Sequence, residues 1–433
     1  MQIWHPFTQM LTAEKPLKVK SGDGVYLQLE DGRKIMDCIS SWWVNIHGHS
    51  HPAIANAIHE QAAKLEQVIF AGFTHEPAEE LSKLLSEKLP QDLSSLFFSD
   101  NGSTSVEVAL KIAYQFWHNN GQTRRKFITF RGGYHGDTIG AMSLGQGSPF
   151  WQKFQSLMFE IDLVSYPATF EDDPQVEEKE AQALAEISKL LQSNTDSYAA
   201  ICIEPLIQGA AGMQMCRPEF LQKLRKLSDQ QNVLLIFDEV MTGFGRTGDW
   251  FACTKSSVRP DLLCLSKGIT GGFLPLSVTI CKQHIYDAFL SKEVDKTFFH
   301  GHSYTANPIA CAAAICSWQL LKENSANFLL MENMHRRLFF EELGENSLFK
   351  HVRFCGTIFA AEIDNGETSN YFHSLAPHLK RRFVESGYLI RPLGNTIYLM
   401  PPYCVTETEL RGAYRIINTV SSEIVCGTKR ALS

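Results

Sequence analysis

The sequence predicts an α/β fold with a mainly parallel sheet covered by helices on both faces. Short apolar runs alternate with amphipathic stretches of helical period. The runs are continuous, as in VLLIF (233–237) and AAICI (199–203), which suits strands buried on both faces. Hydrophobic residues make up 44% of the chain against 20% charged, enough apolar surface to bury a large core.

The elements follow in order. GVYLQLEDGRKIMDCI (24–39) alternates about Asp31-Gly32, a hairpin pattern. Residues 52–68 and 77–89 have helical period, each with a proline near its first turn. The strand SSLFFSD (94–100) leads into a helix at 102–117, and KFITF (126–130) is the next strand. AAICIEP precedes a helix at 218–232, after which VLLIFDEV, DLLCLSKG and LSVTICK supply three more strands. EDDPQVEEKEAQALAEISKLLQ (171–192) reads as a solvated surface helix. The alternation fades after about residue 320, and 382–402 suggests a second α/β domain that the N-terminal hairpin joins. The expected division is 1–50, 51–318 and 319–433.

Several function classes are disfavoured. A net charge of -7 gives no electrostatic reason to bind nucleic acid or an anionic membrane. No apolar stretch is long enough to span a bilayer. The opening IWHPFTQM (3–10) is broken by His5, Pro6, Thr8 and Gln9, and the first arginine is Arg33, so it reads as folded chain and not as a leader. The 11 cysteines are odd in number and sit mostly in apolar runs, the usage of a reduced, cytoplasmic protein.

Ligands of α/β sheets gather at the carboxyl ends of strands, and three candidate groups fall there. Gly102 and Ser103 stand between a strand and a helix, where backbone N–H groups favour a phosphate, although such turns often only turn. Asp238 closes VLLIF, where a carboxylate can also be a plain cap. Lys267 closes DLLCLS; it can extend to solvent, or, desolvated, become a nucleophilic amine able to form a Schiff base. Together with Tyr134, an aromatic able to stack, this set meets the minimum for holding pyridoxal 5'-phosphate.

At FDEVMTGFGRTG and PDLLCLSKGITGG the chain resembles the class III, fold type I PLP-dependent aminotransferases, and the likeness extends over essentially all of it. The resemblance implies a large domain with a mainly parallel seven-stranded sheet and a smaller α/β domain built from N- and C-terminal segments. It implies that Lys267 holds PLP and moves the proton, that Asp238 pairs with the pyridinium nitrogen, and that Tyr134 and Val240 support the ring. Gly102 and Ser103 would bind the phosphate, with Ser303 reaching it across a homodimer whose subunits share active sites, and Gly301 would belong to the substrate pocket. WHPFTQM, SSWWVNIHGHSHP, GYHGDT and YLMPPY place Phe7, Trp42, Trp43, Asp137 and Tyr398 at the pocket for small-molecule substrates, and Arg391 at the keto substrate's carboxylate. Arg246 corresponds to a structural or site-organising arginine.

On a strand, adjacent residues face opposite ways, so periodicity supports at most one of Trp42 and Trp43 facing the site. The segment 3–10 is expected to fold over the site, Trp4 anchoring it and Phe7 facing inward. Two positions depart from the family pattern: Phe7 stands where tyrosine is typical, and His302-Ser303 where Pro-Thr is typical. His47, His49 and His51 would share a face if extended, but the implied chemistry needs no metal. GFGRTG lacks the strand-turn-helix setting of a dinucleotide loop.

Overall fold

The computed structural model describes residues 1–146, 150–194, 197–344, 346–366 and 373–431. A seven-stranded sheet forms its centre, in the order Leu93–Ser99, Ser277–Lys282, Leu262–Leu265, Leu234–Asp238, Tyr198–Ile203, Lys126–Phe130, Asp162–Val164. Ser277–Lys282 runs antiparallel to both neighbours, and the other four ladders are parallel. Every residue of Leu234–Asp238, Leu262–Leu265 and Tyr198–Ile203 is buried, which is why these strands read as unbroken apolar runs. Helices Gly102–Asn119, Val176–Asn194 and Pro218–Gln230 are the crossovers.

The hairpin turns at Asp31-Gly32, with Gly32 at φ 90°. Its strand Lys34–Asp37 pairs in parallel with Tyr388–Leu389, so the first and last parts of the chain build one small sheet. A second small sheet joins Phe349–Cys355, Ile358–Ile363 and Thr396–Leu399. These two sheets bring Trp42, Trp43, Arg391 and Tyr398 toward the carboxyl edge of the central sheet.

The acidic segment corrects one expectation. Glu180 is only 1% exposed and binds Arg217 and Lys223, at 2.7 and 2.9 Å. Its helix is therefore pinned to the neighbouring Pro218–Gln230 helix and is not simply solvated. Each cysteine whose side chain is described is free, and most are buried; the side chain of Cys426 lies outside the described set. Among the described residues, no helix is long and apolar enough to cross a membrane.

Candidate active site

Three parallel strands deliver the chemistry to one cavity of about 470 Å³. Trp43, Gly102, Ser103, Tyr134, His135, Glu204, Asp238, Val240 and Lys267 line it. Asp238 is the last residue of its strand, Glu204 follows Ile203, and Lys267 lies two residues past Leu265. The convergence is thus a property of the sheet edge.

At one end the helix Gly102–Asn119 begins. Asn101 caps it, accepting from the Thr104 N–H at 3.1 Å, which leaves the first-turn N–H groups facing the cavity free for an anion. The cradle is shaped by missing side chains: a Cβ on Gly102 would stand 2.6 Å from Val240 Cγ1, and one on Gly136 2.1 Å from Ser103 Oγ. This groove fits a flat ring ending in a phosphate, as pyridoxal 5'-phosphate does.

In the middle, Asp238 is 4% exposed and receives the Val240 N–H at 3.1 Å and His135 Nδ1–H at 2.7 Å. Burial works against protonation of His135, but the Cys202 sulfur and the Asp238 carboxylate outweigh it and hold its pKa well above the usual value. Lys267 is partly buried at φ 44°, a left-handed conformation unusual for a side-chain-bearing residue, and its Nζ sits 4.6 Å from the centre of the Trp43 ring. Burial pushes its pKa down to about 8 against the opposing pull of Asp238 and Glu204. At that value an appreciable fraction of the amine is neutral and nucleophilic near neutral pH.

Tyr134 lines the same cavity. Its backbone N–H donates to Glu204 Oε2 at 3.0 Å and its phenol to Asp137 at 2.9 Å. Asp137 is exposed, does not line the cavity, and acts on it by orienting that phenol. Glu204 also receives the Gly209 N–H at 3.1 Å, and burial raises its pKa to about 7.

A second compartment of about 210 Å³ opens from the first and is lined by Phe7, Trp42, Trp43, Tyr134, Phe150, Lys267, Arg391 and Tyr398. Phe7 meets Trp42 and Phe150 edge-on at 5.6 and 5.4 Å. The Arg391 guanidinium lies 4.8 Å from the centre of the Trp42 ring, and no carboxylate pairs with it among the described residues. Both tryptophans reach this compartment, which overturns the strand expectation: Ser40–Trp43 is a tight turn with Ser40, Ser41 and Trp43 at positive φ, so side chains do not alternate.

Trp4 is also corrected. It is 85% exposed and anchors nothing within one chain, so Phe7 carries the inward contact of its segment. Gly301 and Ser303 are exposed and line neither compartment of their own chain. Arg246 is 1% exposed and donates to the carbonyls of Pro401 and Asn45. The three histidines hold separate partners: His47 meets Ser317 Oγ at 3.0 Å, His49 meets Asp37, and His51 packs on His47.

Sequence reasoning missed His135, Glu204 and Phe150. The first follows Tyr134 directly, and Glu204 ends the run AAICI, so the strand-end logic that found Asp238 reaches it too. Phe150 carries no comparable signal.

The family model described as aminotransferase class-III matches residues 10–420. An adenosylmethionine-8-amino-7-oxononanoate aminotransferase of Synechococcus elongatus is 50% identical over 422 residues, covering 98% of this chain and 99% of that one. A protein of the same name from Geobacter sulfurreducens is 37% identical, covering 97% and 96%. The crystal structure of a third, from Methanocaldococcus jannaschii, superposes with a TM-score of 0.89 at 33% identity and 97% coverage of each chain. An amine transaminase from an uncultivated Pseudomonas species, solved in its PLP-bound form, gives 0.89 at 28% identity, covering 98% and 99%.

Proposed function

This chain belongs to the class-III aminotransferases, and from that premise we propose that it converts 8-amino-7-oxononanoate to 7,8-diaminononanoate, a step of biotin biosynthesis, with S-adenosylmethionine as amino donor. The observation that carries the reading is the union of the Lys267–Asp238 cavity with an aromatic compartment ending in Arg391. The first is what any amino transfer of this class requires. The second suits an extended, largely apolar chain with a terminal carboxylate.

Pyridoxal 5'-phosphate, when bound, supplies a carbonyl carbon that accepts the amino group and a protonated ring that draws electrons from the donor's α-carbon. Gly102 and Ser103 would hold its phosphate through backbone N–H groups at the helix N-terminus. Tyr134 and Val240, which both line the cavity, would support the ring. Asp238 keeps the ring nitrogen protonated, and the His135 N–H fixes the carboxylate that does so. Lys267 Nζ, neutral once its proton is lost, takes the proton from the donor's α-carbon. Trp42, Trp43, Phe7 and Tyr398 exclude water from the substrate chain, and Arg391 grips its carboxylate. Ser303 would reach the phosphate of the other subunit in a homodimer, in keeping with its exposure in a single chain, and Gly301 would belong to the substrate pocket.

Phe7 bears on the donor, because a site that lacks a hydroxyl discriminates polar donors differently from one that has it. The test is to offer the PLP-loaded enzyme S-adenosylmethionine, lysine or a diamine separately and follow the cofactor's absorbance. Conversion by S-adenosylmethionine is expected. Conversion by lysine alone would transfer the donor assignment to lysine and leave the acceptor untouched.

A further inference from the structure

The turn that carries both tryptophans is held in an unfavourable backbone. Ser40, Ser41 and Trp43 have φ of 52°, 60° and 68°, which side-chain-bearing residues keep only where contacts over-determine them. Those contacts converge on Asp37, whose side chain is fully buried. Its carboxylate accepts the N–H of Ile39 at 3.1 Å, the N–H of Ser41 at 2.6 Å and the Ser41 hydroxyl at 3.3 Å. The fourth donor is His49 Nε2, at 2.9 Å.

His49 is held in turn. Its Nδ1 accepts from Asn45 Nδ2 at 3.0 Å, and these two partners together assign the proton to Nε2. Its backbone N–H donates to the Gly24 carbonyl at 2.7 Å, and a Cβ on Gly22 would lie 2.6 Å from His49 Cβ. At the far side of the turn, Ser40 Oγ donates to the Met400 carbonyl at 2.8 Å and Trp43 Nε1 to Tyr398 Oη at 2.9 Å. A continuous polar chain therefore runs from the N-terminal hairpin to the substrate wall. Neither Asp37 nor His49 lines either compartment.

We infer that the Asp37–His49 pair is a positioning device for substrate recognition: it holds Ser40–Trp43 in its left-handed turn so that both tryptophan rings, and Arg391 stacked on one of them, face the same compartment. Without the Asp37–Ser41 bonds the segment relaxes toward extended backbone, in which neighbouring side chains diverge. The Lys267–Asp238 cavity stands on the central sheet and meets this turn through the Trp43 ring, 4.6 Å from Lys267 Nζ. The pair thus governs how the substrate chain is held and reaches the reacting end only through that ring. The inference rests on the reading of the aromatic compartment as the keto-acid site.

The test uses holoenzyme carrying His49→Phe, His49→Gln or Asp37→Asn. Glutamine keeps an N–H for Asp37 and an oxygen for Asn45, whereas phenylalanine keeps only the ring. His49→Phe and Asp37→Asn are expected to raise KM for 8-amino-7-oxononanoate at least about tenfold while the saturating rate stays within about threefold. Cofactor absorbance should match wild type in both, and His49→Gln should restore KM. An unchanged KM in both His49→Phe and Asp37→Asn overturns the inference, as does parallel loss of cofactor and rate in all three variants, which marks a purely structural role. A wild-type enzyme inert to this keto acid but active with another acceptor refutes the functional reading instead, and KM for that acceptor then scores the pair.

Discussion

Lys267 makes the most direct claim at the scale of single residues. Its amine, depressed to about 8 by burial, is protonated below that pH and has no lone pair to offer. Recapture of PLP by the apo-protein should therefore quicken as pH rises and level off a little above 8, against 10.5 for an ordinary lysine; stopped-flow absorbance measures it. Lys267→Ala should retain the fold and lose at least about 10³-fold in turnover. The His135–Asp238 pair is buried on both sides. His135→Phe leaves the Asp238 carboxylate with an unmet buried charge and should cost about 3 kcal/mol or more, read by urea denaturation. The direction with pH follows from the raised pKa of His135: its stabilisation is present in full below the unfolded-state value and fades as pH climbs through the folded one. Phe7→Tyr adds one hydroxyl to the aromatic compartment, and a shift in the ratio of donor specificities is the expected result.

Among elements, the cradle at the start of helix Gly102–Asn119 depends on absent side chains. Gly136 combines φ 127° with the close approach to Ser103, so Gly136→Ala meets both backbone strain and a clash. Equilibrium dialysis should find PLP affinity reduced at least about tenfold, the equivalent of about 1.4 kcal/mol, with far-UV circular dichroism unchanged. This element was legible in the sequence because a strand, a glycine and a helical period follow one another without interruption. Asp238 and Lys267 were legible for the same reason, since each closes an apolar run whose end is easily seen. The Ser40–Trp43 turn was not. Its conformation is imposed by Asp37 and by Met400 and Tyr398, which lie more than 350 positions away in sequence, and no local pattern encodes such partners. The acidic segment misled for a related reason: Glu180 is buried by Arg217, just before the helix Pro218–Gln230, and by Lys223 within it, both distant in sequence.

For the whole molecule, the fold class followed from the rhythm of the strands, and the antiparallel course of Ser277–Lys282 within the central sheet is the detail that rhythm could not supply. The ends of the chain meet in one small sheet through Lys34–Asp37 and Tyr388–Leu389, so the substrate wall is assembled only when the whole chain has folded. A protein cut within the loop before Tyr388 should keep the central sheet and lose the pocket's Arg391. The exposed Trp4, Phe299 and Tyr304 and the outward-facing Ser303 accord with the proposed homodimer. Sedimentation equilibrium should accordingly return twice the chain mass of 48.8 kDa.

The reaction itself is tested most directly by a single turnover. The apo-protein is loaded with pyridoxamine 5'-phosphate and mixed with 8-amino-7-oxononanoate or 2-oxoglutarate, while absorbance and product mass are followed together. Rapid return of the aldehyde cofactor with the first compound, together with formation of 7,8-diaminononanoate, is the expected result. Return with 2-oxoglutarate and none with 8-amino-7-oxononanoate would contradict it.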